Sequence, residues 1–194
     1  MIIVGAGCGP GMLTEEAINA VKKATLIYGS KRAIDICRKY ISASCRVHEI
    51  TDYKALHELP DDAVVLSTGD PMLAGLGYLK GTIIPGISSM QYSFAKLKIP
   101  LTRAVVVNAH GKNHESAVLK TLEEIKRGYI VFLIADPEFD FLNLCSFLST
   151  YDSEIKISVC ENMGYKDEKI TTSSVSRPGV AIKSRLFALI AGKY

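Results

Sequence analysis

Again and again in this chain a short apolar run ends in a loop rich in glycine or proline, and a helix-like or turn-forming segment follows. IIVGA leads through GCGPGMLT into EEAINAVKKA, LIYG into SKRAIDICRKYI, AVVLST into GDPMLAGLG, and TIIPG into SSMQYSFAKL. Strands that alternate with helices in this way call for a mostly parallel sheet, with ligand loops at the strands' carboxyl ends. Thr14 is placed to cap the first helix, and Glu15 and Glu16 fall in its first turn, where acidic side chains complement the helix dipole.

The alternation changes near IPLTR, where Pro100 interrupts it. VVVNAHGK reads as a strand, ESAVLKTLEEIKRG as an amphipathic helix ending at Gly128, YIVFLIA as a strand and FDFLNLCSFL as a helix. ISVCEN, EKITTS and LFALIAG then follow as strands with little helix between them, which predicts antiparallel pairing. The expectation is an α/β protein of two domains. A parallel-sheet N-terminal domain spans 1–104, and a smaller, mixed-sheet α+β domain spans 105–194.

Composition narrows the function classes. At 194 residues, 48% hydrophobic and 22% charged, the chain has an ordinary globular makeup, and no apolar run approaches the ~18–20 residues of a membrane span. It starts directly in strand and glycine turn, so no signal peptide is expected and the cytoplasm is the default location. Net charge is +3, with Lys and Arg scattered and not interleaved with aromatics, so nucleic acid is not an expected partner. Cysteines 8, 37, 45, 145 and 160 form no CxxC pair and are odd in number, which argues against a disulfide framework or a zinc site. His110 and His114 are spaced i, i+4, but Gly111 and Asn113 favour a loop there and no third ligand is apparent, so no metal is expected.

The first glycine turn fits neither common phosphate motif. Gly5 and Gly7 open a GxGxxG pattern, but its third glycine would fall on Pro10, and the second strand ends in Tyr28-Gly29 instead of an acid for a ribose. No Gly-Lys-Ser/Thr follows either. The glycines make a tight strand-to-helix connection or a low backbone beside some other ligand. Three further strand ends carry chemistry. Asp70 sits on a rigid Asp-Pro turn in STGDPMLAGLG, and Ser88 and Ser89 follow the Pro-Gly turn of IIPGISS, as caps or as ligand contacts. His110 and Lys112 fall in NAHGK, where His110 is either a proton-transfer or positioning residue or an ordinary loop histidine.

In order and spacing, VGAGCGPGMLT, GSKR, STGDPMLAGLG, IIPGISS, NAHGK, CEN and LFALIAG resemble the motifs of the tetrapyrrole methylase family, over essentially the whole chain. These are the precorrin-type methyltransferases that depend on S-adenosylmethionine. GSKR and NAHGK are similar to the G-x-x-R and S-L-H-G-R segments of members that methylate carbon 5 of cobalt-precorrin-7 in cobalamin biosynthesis. The resemblance implies a two-domain enzyme, usually a homodimer, with S-adenosylmethionine folded in the interdomain cleft and the tetrapyrrole in a trough beside it. It assigns cofactor contacts to Gly7, Gly9 and Pro10, to Thr68, Gly69 and Asp70, and to Ser88 and Ser89. Leu133 and Ile134 would form an apolar wall on the adenine side, with Met163 and Ala188 as further contacts. Arg32, His110 and Lys112 would anchor the macrocycle's carboxylates, His110 being the candidate catalytic group that tunes substrate protonation. Some relatives are fused to a methyltransferase that acts at carbon 15 with decarboxylation; this chain ends at Tyr194, so a separate protein is expected to supply that step.

Two departures stand out. Cys8 occupies the family's usual proline position, with Pro10 two residues later and the loop one residue shorter, and Lys112 replaces the arginine of the tetrapyrrole loop. Where that residue meets a carboxylate, a bidentate fork becomes a point charge. The alternatives are another precorrin methylase, diphthine synthase (a relative usually much longer) or a non-catalytic nucleotide-binding module.

Overall fold

A computed structural model describes residues 1–111, 113–179 and 181–194, and the chain divides into two units, Met1–Tyr92 and Ser93–Tyr194. In the first, β1 (Ile2–Gly5), β2 (Leu26–Gly29), β3 (Arg46–Glu49), β4 (Val64–Ser67) and β5 (Thr82–Ile84) form one parallel sheet in the order β3-β2-β4-β1-β5. β1 runs between β4 and β5, with Ile3 opposite both Val65 and Ile83. All four residues of β4 are buried, as expected of a central parallel strand covered on both faces. Ile3, Val65, Leu56, Leu76 and Leu79 make one packed cluster beside it.

Helices α1 (Glu15–Lys23), α2 (Lys31–Cys37) and α3 (Pro71–Ala74) each begin at a side chain that accepts a backbone N–H. Thr14 caps α1 as the sequence requires, Ser30 caps α2 and Asp70 caps α3. β3 and α3 are absent from the sequence reading. β3 is an edge strand of four exposed residues, RVHE, held by backbone pairing and by His48 stacked on Tyr28 at 5.1 Å. Neither four-residue element is long enough to display an apolar period.

The second unit holds β6 (Ala104–Asn108), β7 (Ile130–Ile134), β8 (Lys156–Glu161), β9 (Lys169–Ser174) and β10 (Phe187–Gly192), in the order β6-β7-β10-β8-β9. Only the β6–β7 pair is parallel, so the sheet is mixed, with the antiparallel pairing that the closing strands predict. Leu133, Ile157, Val159 and Leu189 pack with Val118 and Ile125 of α5 (His114–Lys126) and with Leu144 and Leu148 of α6 (Phe141–Tyr151).

The division between the units falls inside α4 (Ser89–Leu97), twelve residues before the 104/105 boundary read from Pro100. Phe94 explains the difference: fully buried, it meets Phe132 of β7 edge to face at 6.4 Å, which ties the second half of α4 to the second unit. Among the described residues no helix is long and apolar enough to cross a membrane.

Candidate functional site

Because β4, β1 and β5 are parallel neighbours, their carboxyl-terminal loops meet at one edge of the first sheet. Ala6 N–H donates to Ser67 O at 2.8 Å, and Gly7 and Gly69 exchange backbone hydrogen bonds of 3.1 and 2.8 Å. Cys8 N–H donates to Ile87 O at 2.9 Å. Thus the first glycine turn is stitched to both of the other loops. Glycines of these loops serve close packing: a Cβ on Gly86 would lie 2.2 Å from Gly69 O, and one on Gly5 2.4 Å from Gly86 N.

Asp70 locks this arrangement. One carboxylate oxygen accepts Met72 N–H at 2.8 Å, capping α3, and the other accepts Gly86 N–H at 2.9 Å. Both oxygens hold protein backbone, so Asp70 fixes the loops to one another. Ser88 resolves in a similar way. Its hydroxyl accepts Gln91 N–H at 3.1 Å and donates to Gln91 Oε1 at 2.9 Å, while its own N–H donates to the same oxygen at 2.8 Å. That is a reciprocal capping box for α4.

Other groups are left facing the edge. A Cβ on Gly69 would sit 3.7 Å from Ser88 Cα and 4.0 Å from Ser89 N, so the glycine keeps the ground in front of the α4 N-terminus open. Thr68 Oγ1 and Ser30 Oγ lie 3.5 Å apart beside it, both half-buried, and Ser89 is half-buried as well. Gly9 and Cys8 are buried, with Cys8 Sγ 3.4 Å from Met12 Sδ, whereas Pro10 is exposed on the turn. Arg32 is exposed as the second residue of α2. Hydroxyls, helix-end amides and a low glycine backbone suit a ligand bearing hydroxyl and carboxylate groups.

In the second unit the residues picked from the sequence gather at one sheet edge. Asn108 pairs with Ile134 at the ends of β6 and β7, and Ala188 lies one register step beyond the Leu189–Leu133 pair, opposite Cys160. Met163 follows β8 at the same edge and is buried. Leu133 is fully buried in the helix-side core, while Ile134 is half-buried, so Ile134 carries the exposed apolar surface of that pair. His110 is exposed, its N–H donating to Asn108 Oδ1 at 2.9 Å. Lys112 lies outside the described residues.

Two carboxylates brace this edge. Glu161 Oε1 accepts Lys183 N–H at 2.7 Å and Ser184 N–H at 2.8 Å, fixing the approach to β10. Asp136, also buried, takes Gly111 N–H at 2.7 Å and lies 3.1 Å from His114 Nε2, both on Oδ2, and its Oδ1 accepts Glu138 N–H at 3.1 Å.

The profile of the family described as tetrapyrrole (corrin/porphyrin) methylases matches residues 1–178. The chain belongs to that family. A Methanocaldococcus jannaschii protein named "probable cobalt-precorrin-7 C(5)-methyltransferase" is 32% identical to this methylase over an alignment of 187 residues, covering 87% of each chain. The crystal structure of a precorrin-6Y methylase of cobalamin biosynthesis from Archaeoglobus fulgidus superposes with a TM-score of 0.76 at 24% identity, over 99% of this chain and 96% of that one. A diphthine synthase structure gives 0.72 at 16% identity, over 97% and 88%. Both structures share the fold of the methylase, and fold alone does not separate a tetrapyrrole from a protein side chain as acceptor.

Sequence reasoning missed the two bracing acids of the methylase, and it treated His114 only as a possible metal ligand. Gln91, three residues after Ser88, was a readable capping signal. The bracing role of Asp136 carried no local signal: Glu138 is two residues on, but Gly111 and His114 lie 25 and 22 residues away.

The Gly111 N–H, with His114 adding in the same direction and burial opposing, holds the Asp136 carboxyl below the usual carboxylate range. A folded-state value below the unfolded one gives stability that is complete above the unfolded range and is lost as pH falls through the folded value. The stability gap between wild type and Asp136→Asn is therefore expected to hold from neutral pH down to the ordinary carboxylate range and to shrink in stronger acid. Urea midpoints across pH check this, and a gap that widens on acidification would contradict it.

Proposed function

We propose that this methylase transfers the methyl group of S-adenosylmethionine to carbon 5 of cobalt-precorrin-7, giving cobalt-precorrin-8 in the anaerobic route to cobalamin. The observation that carries the reading is the 32% identity, over 87% of both chains, to a protein whose name states that reaction. GSKR and NAHGK support it from the sequence side.

The residues present fit the donor. Glycine at 69 leaves space before the α4 amides, and Thr68 and Ser89 add hydroxyls there for its polar groups. On the second unit, taken by itself, Ile134 is half-buried at the end of β7, with Met163 and Ala188 buried near the same sheet edge. When bound, S-adenosylmethionine supplies an electrophilic methyl group on a sulfonium. The chain then has to hold, orient and exclude water, and positioning alone removes a large part of such a barrier. Asp70 and the Ser88–Gln91 box do so by fixing the loops, Arg32 and Lys112 by meeting macrocycle carboxylates, and His110 by presenting an imidazole to the substrate. A homodimer is part of the same reading.

The test is turnover with purified protein. Release of S-adenosylhomocysteine is expected only when cobalt-precorrin-7 is present. Release with a diphthamide-precursor protein instead, or with no acceptor, would overturn the assignment.

A further inference from the structure

Two described residues of the β6–α5 loop have left-handed backbones. Gly111 has φ +76° and Asn113 φ +42°, left-handed conformations that cost a non-glycine residue about 1–2 kcal/mol. Three acceptors impose the shape. Asn108 Oδ1 takes the His110 N–H, Asp136 Oδ2 takes the Gly111 N–H, and Asn113 Oδ1 takes the Ser116 N–H at 3.1 Å to start α5. Asn113 lies within the loop, while Asn108 is the last residue of β6 and holds His110 to its own strand, as Ala109 N–H holds the start of the loop to Ile134 O at 2.8 Å. Asp136 reaches from the turn after β7 to hold the far side of the loop at Gly111.

His114 completes the tie. It is the first residue of α5, its Nε2 is 3.1 Å from the oxygen that holds Gly111, and its ring stands edge-on to buried Phe139 at 5.2 Å. Phe139 and Glu138 belong to the same turn as Asp136, and the Glu138 N–H occupies the other carboxylate oxygen. The carboxylate therefore has both oxygens engaged, and the imidazole is fixed by a hydrogen bond on one side and a ring on the other.

We propose that Asp136 and His114 are positioning residues for the methyl acceptor, a clasp that sets where His110 stands. This rests on the reading that the 108–112 loop meets the tetrapyrrole. Neither residue touches substrate in this account, and both act through the backbone of Gly111. Their effect falls on the acceptor step and leaves donor binding alone.

The experiment compares wild type with Asp136→Ala, Asp136→Asn, His114→Ala and His114→Gln, reading three quantities. These are S-adenosylhomocysteine affinity by calorimetry, kcat and KM for cobalt-precorrin-7 well below each variant's Tm, and exchange of the Gly111 amide by NMR. Asp136→Ala and His114→Ala are expected to lower kcat about 10- to 100-fold, the scale of a misplacement near 1 Å. Donor-product affinity stays at the wild-type value and Gly111 exchange speeds up. His114→Gln, which keeps an N–H donor, recovers most of what His114→Ala loses.

Faster exchange with wild-type kcat would overturn the proposal, because the clasp would then be structural only. So would a loss of donor-product affinity that parallels the loss of kcat, or a His114→Gln variant as impaired as His114→Ala. A wild type that turns over no tetrapyrrole overturns the functional reading itself and the proposal with it, and the wild-type control separates that failure from the others.

Discussion

Gly86→Ala is expected to destabilise the first unit by at least about 3 kcal/mol, the upper end for forcing a methyl into a packed site. For a chain of this size that lowers Tm by about 6–12 °C. The added Cβ would stand 2.2 Å from Gly69 O and under 3 Å from the Gly5 backbone. All of these are main-chain atoms, and none can swing aside as a flexible side chain would. Relief requires the β5 loop to back away from β1 and β4, which breaks the Gly86–Asp70 hydrogen bond as well. S-adenosylmethionine affinity is expected to fall together with Tm. Gly11 provides the contrast. A Cβ there meets nothing within 4 Å, although its φ of +84° still strains an alanine, so Gly11→Ala is expected to cost only about 1–2 kcal/mol. Thermal melts of the two variants decide the matter, and a Gly86→Ala protein that melts with wild type would refute the close packing of the three loops.

Asp70→Ala is the second large effect, and here the loss falls on binding as well as on folding. It removes the α3 cap, worth about 1 kcal/mol, and leaves the Gly86 N–H without its acceptor, worth about 1–3 kcal/mol. Both losses act on the loops that flank Gly69. Affinity for S-adenosylmethionine is expected to drop more than about tenfold, the factor that 1.4 kcal/mol commands, while tetrapyrrole affinity changes little. Asp70→Asn keeps one oxygen acceptor and points an NH2 at the other N–H, so it is expected to fall between. Because Asp70 and Gly86 share one hydrogen bond, the double variant should lose less than the sum of the single losses. Calorimetry with S-adenosylmethionine and S-adenosylhomocysteine reads this directly, and unchanged affinity in Asp70→Ala would remove Asp70 from the account.

What the sequence made legible follows from physical range. Buried strands such as VVLS and IVFLI announce themselves because apolar side chains cover both faces. The capped helix α1 announces itself through Thr14. β3 does not, because an exposed edge strand held by backbone bonds needs no apolar pattern. The loops of the site were legible from their glycines and prolines, since close backbone approach demands glycine and proline stiffens a turn. How the loops are held was not. The bond from Gly86 N–H to Asp70, and the reach of Asp136 to Gly111 and His114, exist only once parallel strands have brought distant loops to one edge. Ser88 lay between the two cases: its sequence allowed a cap or a ligand contact, and the Gln91 bonds assign its hydroxyl to the cap.

The central claim is the carbon that receives the methyl group. Incubating the protein with cobalt-precorrin-7 and S-adenosylmethionine labelled with ¹³C at the methyl, then locating the label in the product by NMR, tests it in one measurement. The account predicts a single new methyl on carbon 5. A label on any other ring carbon, or a tetrapyrrole recovered without label, would contradict it.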